Sequence, residues 1–173
     1  MSTLITNTLQ GINTIKYDAN TTAATIDSTG RVLQPAKPAF KAYMTGNQSA
    51  PSANTFTTIQ FNAENYDIGG NFNTSNYTFT TPVAGVYYFY TSYSYVANVG
   101  SESQGIVSLA AGGSTIAGVD FYIKGSNARY GSCCSTVVQL NAGVGVTARA
   151  YGPARGIYGG DYGNTQFCGY LVG

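Results

Sequence analysis

The run Gly85-Val86-Tyr87-Tyr88-Phe89-Tyr90-Thr91-Ser92-Tyr93-Ser94-Tyr95-Val96 decides how this chain folds. Its aromatic and β-branched residues favour extended backbone, and its apolar positions show no helical spacing. Along a strand, successive side chains point to opposite faces. Here both alternating sets carry aromatic residues, so both faces of the strand demand cover. A strand with one wet face would alternate apolar with polar residues instead. A second sheet, packed as a sandwich, covers one side. In a chain of 173 residues the other cover is another copy of the protein, unless the amphipathic Tyr rings simply tolerate water.

Outward from this strand the chain is a series of short extended runs between turn residues. They are Phe40–Thr45, Thr55–Phe61, Tyr77–Thr81, Gly105–Ala110, Thr115–Ile123, Cys134–Leu140, Val144–Tyr151 and Thr165–Val172. Gly112-Gly113 and Asn141-Ala142-Gly143 supply hairpin turns. Strands at this spacing make a sandwich or jelly roll. Residues 1–37 differ, being rich in Thr, Asn and Ser with Tyr17 as their sole aromatic. Within them Ala23-Ala24-Thr25-Ile26 and Arg31-Val32-Leu33 flank Asp27-Ser28-Thr29-Gly30, a hairpin turn with Gly where φ must be positive. Pro35 and Pro38 mark a boundary. The expected division is an amino-terminal anchor, 1–37, and a head, 38–173. The anchor is too small to fold alone and orders against a partner or its own copies.

Composition removes most chemistry. Charged residues are 9% of the chain and the net charge is +1, against roughly 25% charged in an average domain. There is no basic surplus to hold phosphates, so nucleic acid is not an expected partner. The chain has no His, the commonest general base and metal ligand. Asp18, Asp27, Glu64, Asp67, Glu102, Asp120 and Asp161 are scattered, with no pair spaced for glycoside cleavage. Glu64 and Asp67 alone make a poor calcium set. No glycine-rich stretch leads into a Lys-Ser/Thr, so none is a phosphate loop. The expectation is a protein with no enzymatic activity, catalytic residues, metal or cofactor. Cys133, Cys134 and Cys168 are an odd number, and adjacent strand residues cannot both face Cys168. They read as small buried residues or free thiols. No secretory signal and no membrane-spanning apolar run is visible.

The strand and its surroundings resemble the globular head of complement component 1q and the related tumour-necrosis-factor-like jelly rolls. The family pattern of aromatics, an Asn or Asp and a Gly falls on Phe61, Asp67, Phe72, Phe79, Gly85, Tyr87 and Phe89 with every spacing kept. Thr91 stands where the family has a further aromatic. The family's closing motif appears as Phe167-Cys168-Gly169-Tyr170-Leu171. The resemblance covers residues 38–173. It implies an all-β, ten-stranded antiparallel jelly-roll sandwich that assembles as a threefold trimer. Phe61, Asp67, Phe72, Phe79, Gly85, Tyr87, Phe89 and Gly169 would then form the core motif, with Asp67 in a turn. Val86, Tyr88, Tyr90 and Phe167 would line the trimer interface, a second cover for the two-faced strand. The collagen repeats that precede such heads in animals are absent from 1–37. Residues 24–33 instead resemble amino-terminal pieces of structural proteins of tailed bacteriophages.

These readings converge on an expected function. The chain would be a structural protein of a tailed-bacteriophage virion, made in the host cytoplasm, with a trimeric fibre or spike head that contacts the host. The alternative is a trimeric decoration protein that stabilises the capsid. Expected partners are two further copies, other virion proteins through residues 1–37, and a host surface glycan or protein, with no membrane insertion. If strands alternate between two ends, Gly46–Asn54, Ala97–Gln104, Lys124–Gly131 and Tyr151–Asn164 meet at the apex, opposite the head's termini. Arg129, Tyr130, Arg155, Tyr158, Asp161 and Tyr162 are therefore the candidate receptor-binding residues. Tyr and Gly suit such loops because Tyr gives large contact area at low entropic cost.

Overall fold

The computed structural model of the chain describes residues 13–20, 22–49, 52–95, 103–123, 129–160 and 164–173. The chain divides into two compact units, Met1–Lys37 and Pro38–Gly173. In the first, β1 (Thr14–Lys16), β2 (Thr22–Ile26) and β3 (Val32–Leu33) form an antiparallel sheet. Thr25 pairs with Leu33 and Ile26 with Val32, so the turn falls on Asp27-Ser28-Thr29-Gly30, with Gly30 at φ 84°. The Asp27 carboxylate closes it, accepting from Arg31 N at 3.0 Å and Thr29 N at 2.9 Å and pairing with Arg31 Nε at 2.6 Å. Bonding from the Arg31 backbone, then from the Thr29 and Arg31 side chains, holds its pKa down to about 2. None of the described residues of this unit is buried; a sheet this small has no interior.

The second unit contains β4 (Ala39–Tyr43), β5 (Thr57–Thr58), β6 (Ala63–Ile68), β7 (Phe72–Asn73), β8 (Thr78–Thr80) and β9 (Gly85–Ser94). It continues through β10 (Ser103–Ala111), β11 (Ser114–Ile123), β12 (Gly131–Leu140), β13 (Gly145–Tyr151) and β14 (Gln166–Leu171). One sheet runs β12-β9-β14-β4-β6 and the other β11-β10-β13-β8-β7, with β5 added against β13. All pairings are antiparallel. Two sheets of five, plus one two-residue strand, make the jelly roll. The run Thr55–Phe61 is extended only at Thr57–Thr58; beyond it Ile59 N still donates to Ala148 O at 3.0 Å, and Ile59 and Phe61 bury their side chains completely. Strand β6, a polar edge strand, has no counterpart among the runs read from sequence.

Aromatic rings fill the sandwich. Phe40 stacks on Phe72 and Phe79 at 5.0 and 4.6 Å between centroids and meets Phe167 edge-on at 4.8 Å. From β9, Tyr87, Phe89 and Tyr93 point inward and are buried. The Tyr93 hydroxyl donates to Ile106 O at 2.9 Å, and burial beside Tyr95 pushes its pKa far up. Thr91, the departure from the aromatic pattern, is also buried, and its hydroxyl donates to Gln166 O at 3.1 Å. One expectation is corrected here. Phe167 does not line an interface between copies; it lies wholly in the core of its own unit. Register explains this, since Phe167 pairs with Thr91 and Gly169 with Phe89, both inward-facing residues. Gly169 is required there because a Cβ would strike the Phe89 ring.

Candidate functional site

The outward face of the β12-β9-β14-β4-β6 sheet is the most distinctive surface of the second unit. By parity β9 turns Val86, Tyr88, Tyr90, Ser92 and Ser94 to this side. The register sets Val137 and Cys133 of β12, and Tyr170, Cys168 and Gln166 of β14, beside them. Lys41 of β4 and Tyr66 and Ile68 of β6 continue the surface. Val137 is 63% exposed, Tyr170 48%, Tyr66 47% and Ile68 39%. Tyr88 and Tyr170 hold their rings 5.3 Å apart. Burial, then proximity to Cys168, pushes the Tyr66 phenol up, and burial does the same to the Cys168 thiol against the pull of Lys41. The face is graded. Its end near Val86, Tyr88 and Tyr170 is aromatic, and its end near Ser92, Ser94 and Gln166 is hydroxyl- and amide-rich.

That polar end is also where the long connections gather. Tyr43 and Ser92 both pair with Gln166, Gly131 pairs with Ser94, and Ser103 with Ile123. The opposite end holds Pro38, whose carbonyl accepts from Leu171 N at 3.0 Å, and Gly173, whose carbonyl accepts from Val86 N at 2.7 Å. The described parts of the apical connections are stitched together. Gln48 and Ile157 exchange both backbone hydrogen bonds, at 2.9 and 3.0 Å. The Gln48 side chain, almost fully buried, donates to Thr58 O and accepts from Gln60 N. Gly152 O accepts from Asn54 N at 2.8 Å, and Asn47 Oδ1 accepts from Gly159 N at 3.0 Å. These bonds join the described parts of the 46–54 and 151–164 connections and limit how far that backbone can adapt to a ligand.

Of the expected apical residues, Arg129 and Tyr158 come together, the guanidinium standing 3.7 Å above the ring centroid. Tyr130 is half-buried and packs on the core, its carbonyl accepting from Tyr95 N at 2.8 Å. Arg155 is half-buried in the Tyr151–Asn164 connection, which also holds Tyr158. Asp161 and Tyr162 lie outside the described residues. Val86, Tyr88 and Tyr90 occupy the outward face, whereas Phe167 does not. Every residue of the core motif is in place: Phe61, Phe72, Phe79, Tyr87 and Phe89 are buried, Gly85 opens β9, and Gly169 admits the Phe89 ring. Asp67 spans the turn after β6, one carboxylate oxygen accepting from Phe72 N at 2.8 Å. Among the described residues no group of three or more His, Cys, Asp or Glu side chains could hold a metal.

The family model of the C1q domain matches residues 39–172. The chain belongs to the C1q family. Among solved structures, this C1q head is similar to the globular domain of zebrafish complement 1qA protein, at 20% identity and TM-score 0.54, covering 79% of this chain and 98% of that one. It is also similar to Eiger TNF from S. frugiperda, at 9% identity and TM-score 0.62, covering 79% and 94%. Murine APRIL is similar at 13% identity and TM-score 0.56, covering 78% and 97%. These likenesses carry the fold. No curated protein matches the chain in sequence. Sequence reasoning did not reach Gln48, Ser94 or Gln166, because isolated polar residues in Asn- and Thr-rich surroundings leave no pattern. Tyr170 and Val137 were within reach once β14 and β12 were given a register.

Proposed function

We propose that this C1q head is a homotrimer and a non-enzymatic recognition module of a tailed-bacteriophage virion, a fibre or spike head that touches the host with its apex. The observation that carries the reading is the outward sheet face, where Tyr66, Ile68, Val137 and Tyr170 stand exposed beside Tyr88. A contiguous surface of this kind marks an interaction site, and closed rotational symmetry covers it with identical faces. Packing there leaves the apical connections free at the end away from Pro38 and Gly173. The virion context rests on the resemblance of residues 24–33 to phage structural proteins, with residues 1–37 attaching to other virion proteins. The protein is then made in the host cytoplasm and resides on the particle. Capsid decoration is the second reading, favoured by the hydrogen bonds that tie the described parts of 46–54 and 151–164 together, which suit a rigid cap better than an adaptable binding loop.

Labelled antibody against the head, imaged on particles, tests the proposal. A few copies at the tail support the fibre, many over the shell support decoration, and absence from particles overturns both. Replacing Arg155, Tyr158 and Tyr162 with Ala should abolish attachment to host cells while trimer mass is unchanged. Undiminished attachment by that variant moves the reading to decoration.

A further inference from the structure

We infer that the outward face of the β11-β10-β13-β8-β7 sheet binds a neutral oligosaccharide, stacked on Tyr122 at one end and on Phe56 and Tyr151 at the other. This sheet lies on the opposite side of the sandwich from the face assigned to contacts between copies, so assembly through that face leaves it open. Parity sets the surface. Val107 and Leu109 of β10 are wholly buried in the core, so Gln104 and Ile106 turn outward. The register places Tyr122 beside Gln104, and Asp120 and Tyr151 on either side of Ile106. Thr57 pairs with Ala150, which carries Phe56 alongside Tyr151. Tyr122 is 71% exposed and Phe56 41%.

The aromatic platform is held in advance. The Phe56 ring lies 5.1 Å from the Tyr151 ring and 5.1 Å from the Arg149 guanidinium carbon. Arg149 is itself tied down, donating to Thr115 Oγ1 at 2.7 Å and to Gly113 O at 3.3 Å. Rings already fixed can stack on a ligand without first losing freedom. Strand β10 separates β11 from β13, so Tyr122 and Tyr151 stand about 10 Å apart across the sheet and about 7 Å along it. Three or four linked pyranose rings span that distance. Between the platforms Gln104 Nε2 donates to Asp120 Oδ2 at 3.0 Å, and both side chains are exposed. A carboxylate and an amide oxygen hold more lone pairs than this one bond uses, so the pair can accept from sugar hydroxyls while the apolar faces of the sugar rings meet the aromatics.

The same chemistry disfavours other ligands that stack. Nucleobases lie on such platforms too, but their phosphates would meet Asp120 and find the Arg149 guanidinium committed to Gly113 and Thr115. An apolar protein surface would strip water from the Asp120 carboxylate without replacing its bonds. The site uses none of Arg155, Tyr158 and Tyr162, so the inference goes beyond the host-contact reading and can fail separately from it.

The full chain is titrated by calorimetry with cellohexaose, xylohexaose and mannohexaose, with the disaccharide of each, and with oligothymidylate. At least one hexasaccharide should saturate the protein and bind about tenfold or more tightly than its own disaccharide, which cannot reach both platforms. Tyr122→Ala should weaken that binding by about tenfold, the scale of one lost stacking contact, with the melting temperature unchanged because the ring is exposed. Tyr122→Phe keeps the ring and should retain the binding. The variant with Arg155, Tyr158 and Tyr162 all replaced by Ala should bind the sugar as wild type does. No saturation by any hexasaccharide, equal affinity for its disaccharide, or undiminished binding by Tyr122→Ala overturns the inference. So does binding of oligothymidylate alone, or loss of sugar binding in the triple variant, which would move the sugar to the apex.

Discussion

Replacing Phe167 with Ala separates a core residue from an interface residue. The ring is completely buried. It lies 4.8 Å from Phe40, 5.8 Å from Phe61, 6.1 Å from Phe72 and 6.2 Å from Phe89. Truncation of a buried Phe costs about 3–5 kcal/mol, the larger values arising where neighbours cannot collapse into the void. Those neighbours are rings fixed on strands of both sheets, so the upper half of that range applies. At roughly 4 °C per kcal/mol for a unit of this size, the melting temperature should fall by about 16–20 °C. Calorimetry at two protein concentrations is the assay. A core defect shifts melting equally at both, whereas an interface defect makes the shift concentration-dependent. A loss below about 1 kcal/mol together with a fall in native mass would refute the placement of Phe167 inside the sandwich.

Tyr88→Asp should leave the folded protomer intact by circular dichroism but reduce its native mass threefold, since packing would bring three carboxylates together in a desolvated interface; a mass unchanged from wild type rejects that face as the interface. The amino-terminal hairpin should keep its order above pH 4 and lose it as pH falls toward 2, because the Asp27 carboxyl is depressed from 3.8 to about 2 and its stabilisation disappears on protonation. Amide shifts of Thr29 and Arg31 that stay constant down to pH 1.5 contradict this. Exposed Cys133 should alkylate in the native protein at pH 8, while Cys134, whose thiol burial pushes up to about 11, should react only after unfolding; equal labelling rates in peptide mass spectra would count against it.

The parity of β9 was legible because a strand has one period, and Tyr87 and Phe89 could not share a face with Tyr88. The same rule applied to β14 would have placed Phe167 correctly. Phe167 and Gly169 stand two residues apart and must face the same side, so one cannot line an interface while the other admits a core ring. The turn at Asp27–Gly30 was legible because Asp and Gly each have a chemical reason to be there. Strand β6 was not, because Ala63-Glu64-Asn65-Tyr66-Asp67-Ile68 lies at a sheet edge with little to bury. Nor was the contact of Arg129 with Tyr158, which lie in two connections that only the folded chain brings together.

The position of β4 between β14 and β6 has a mechanical meaning. Five residues of β4, Ala39 to Tyr43, pair with β14 on one side and β6 on the other. A pull between the apex and Pro38 runs along the axis of this strand, while its ladder bonds lie across it. Those bonds are therefore loaded in shear and must fail together, on both flanks, before the strand slides. A strand pulled sideways from a sheet would instead lose them one at a time, like a zip. Tension applied through Pro38 thus meets the head in its stiff direction.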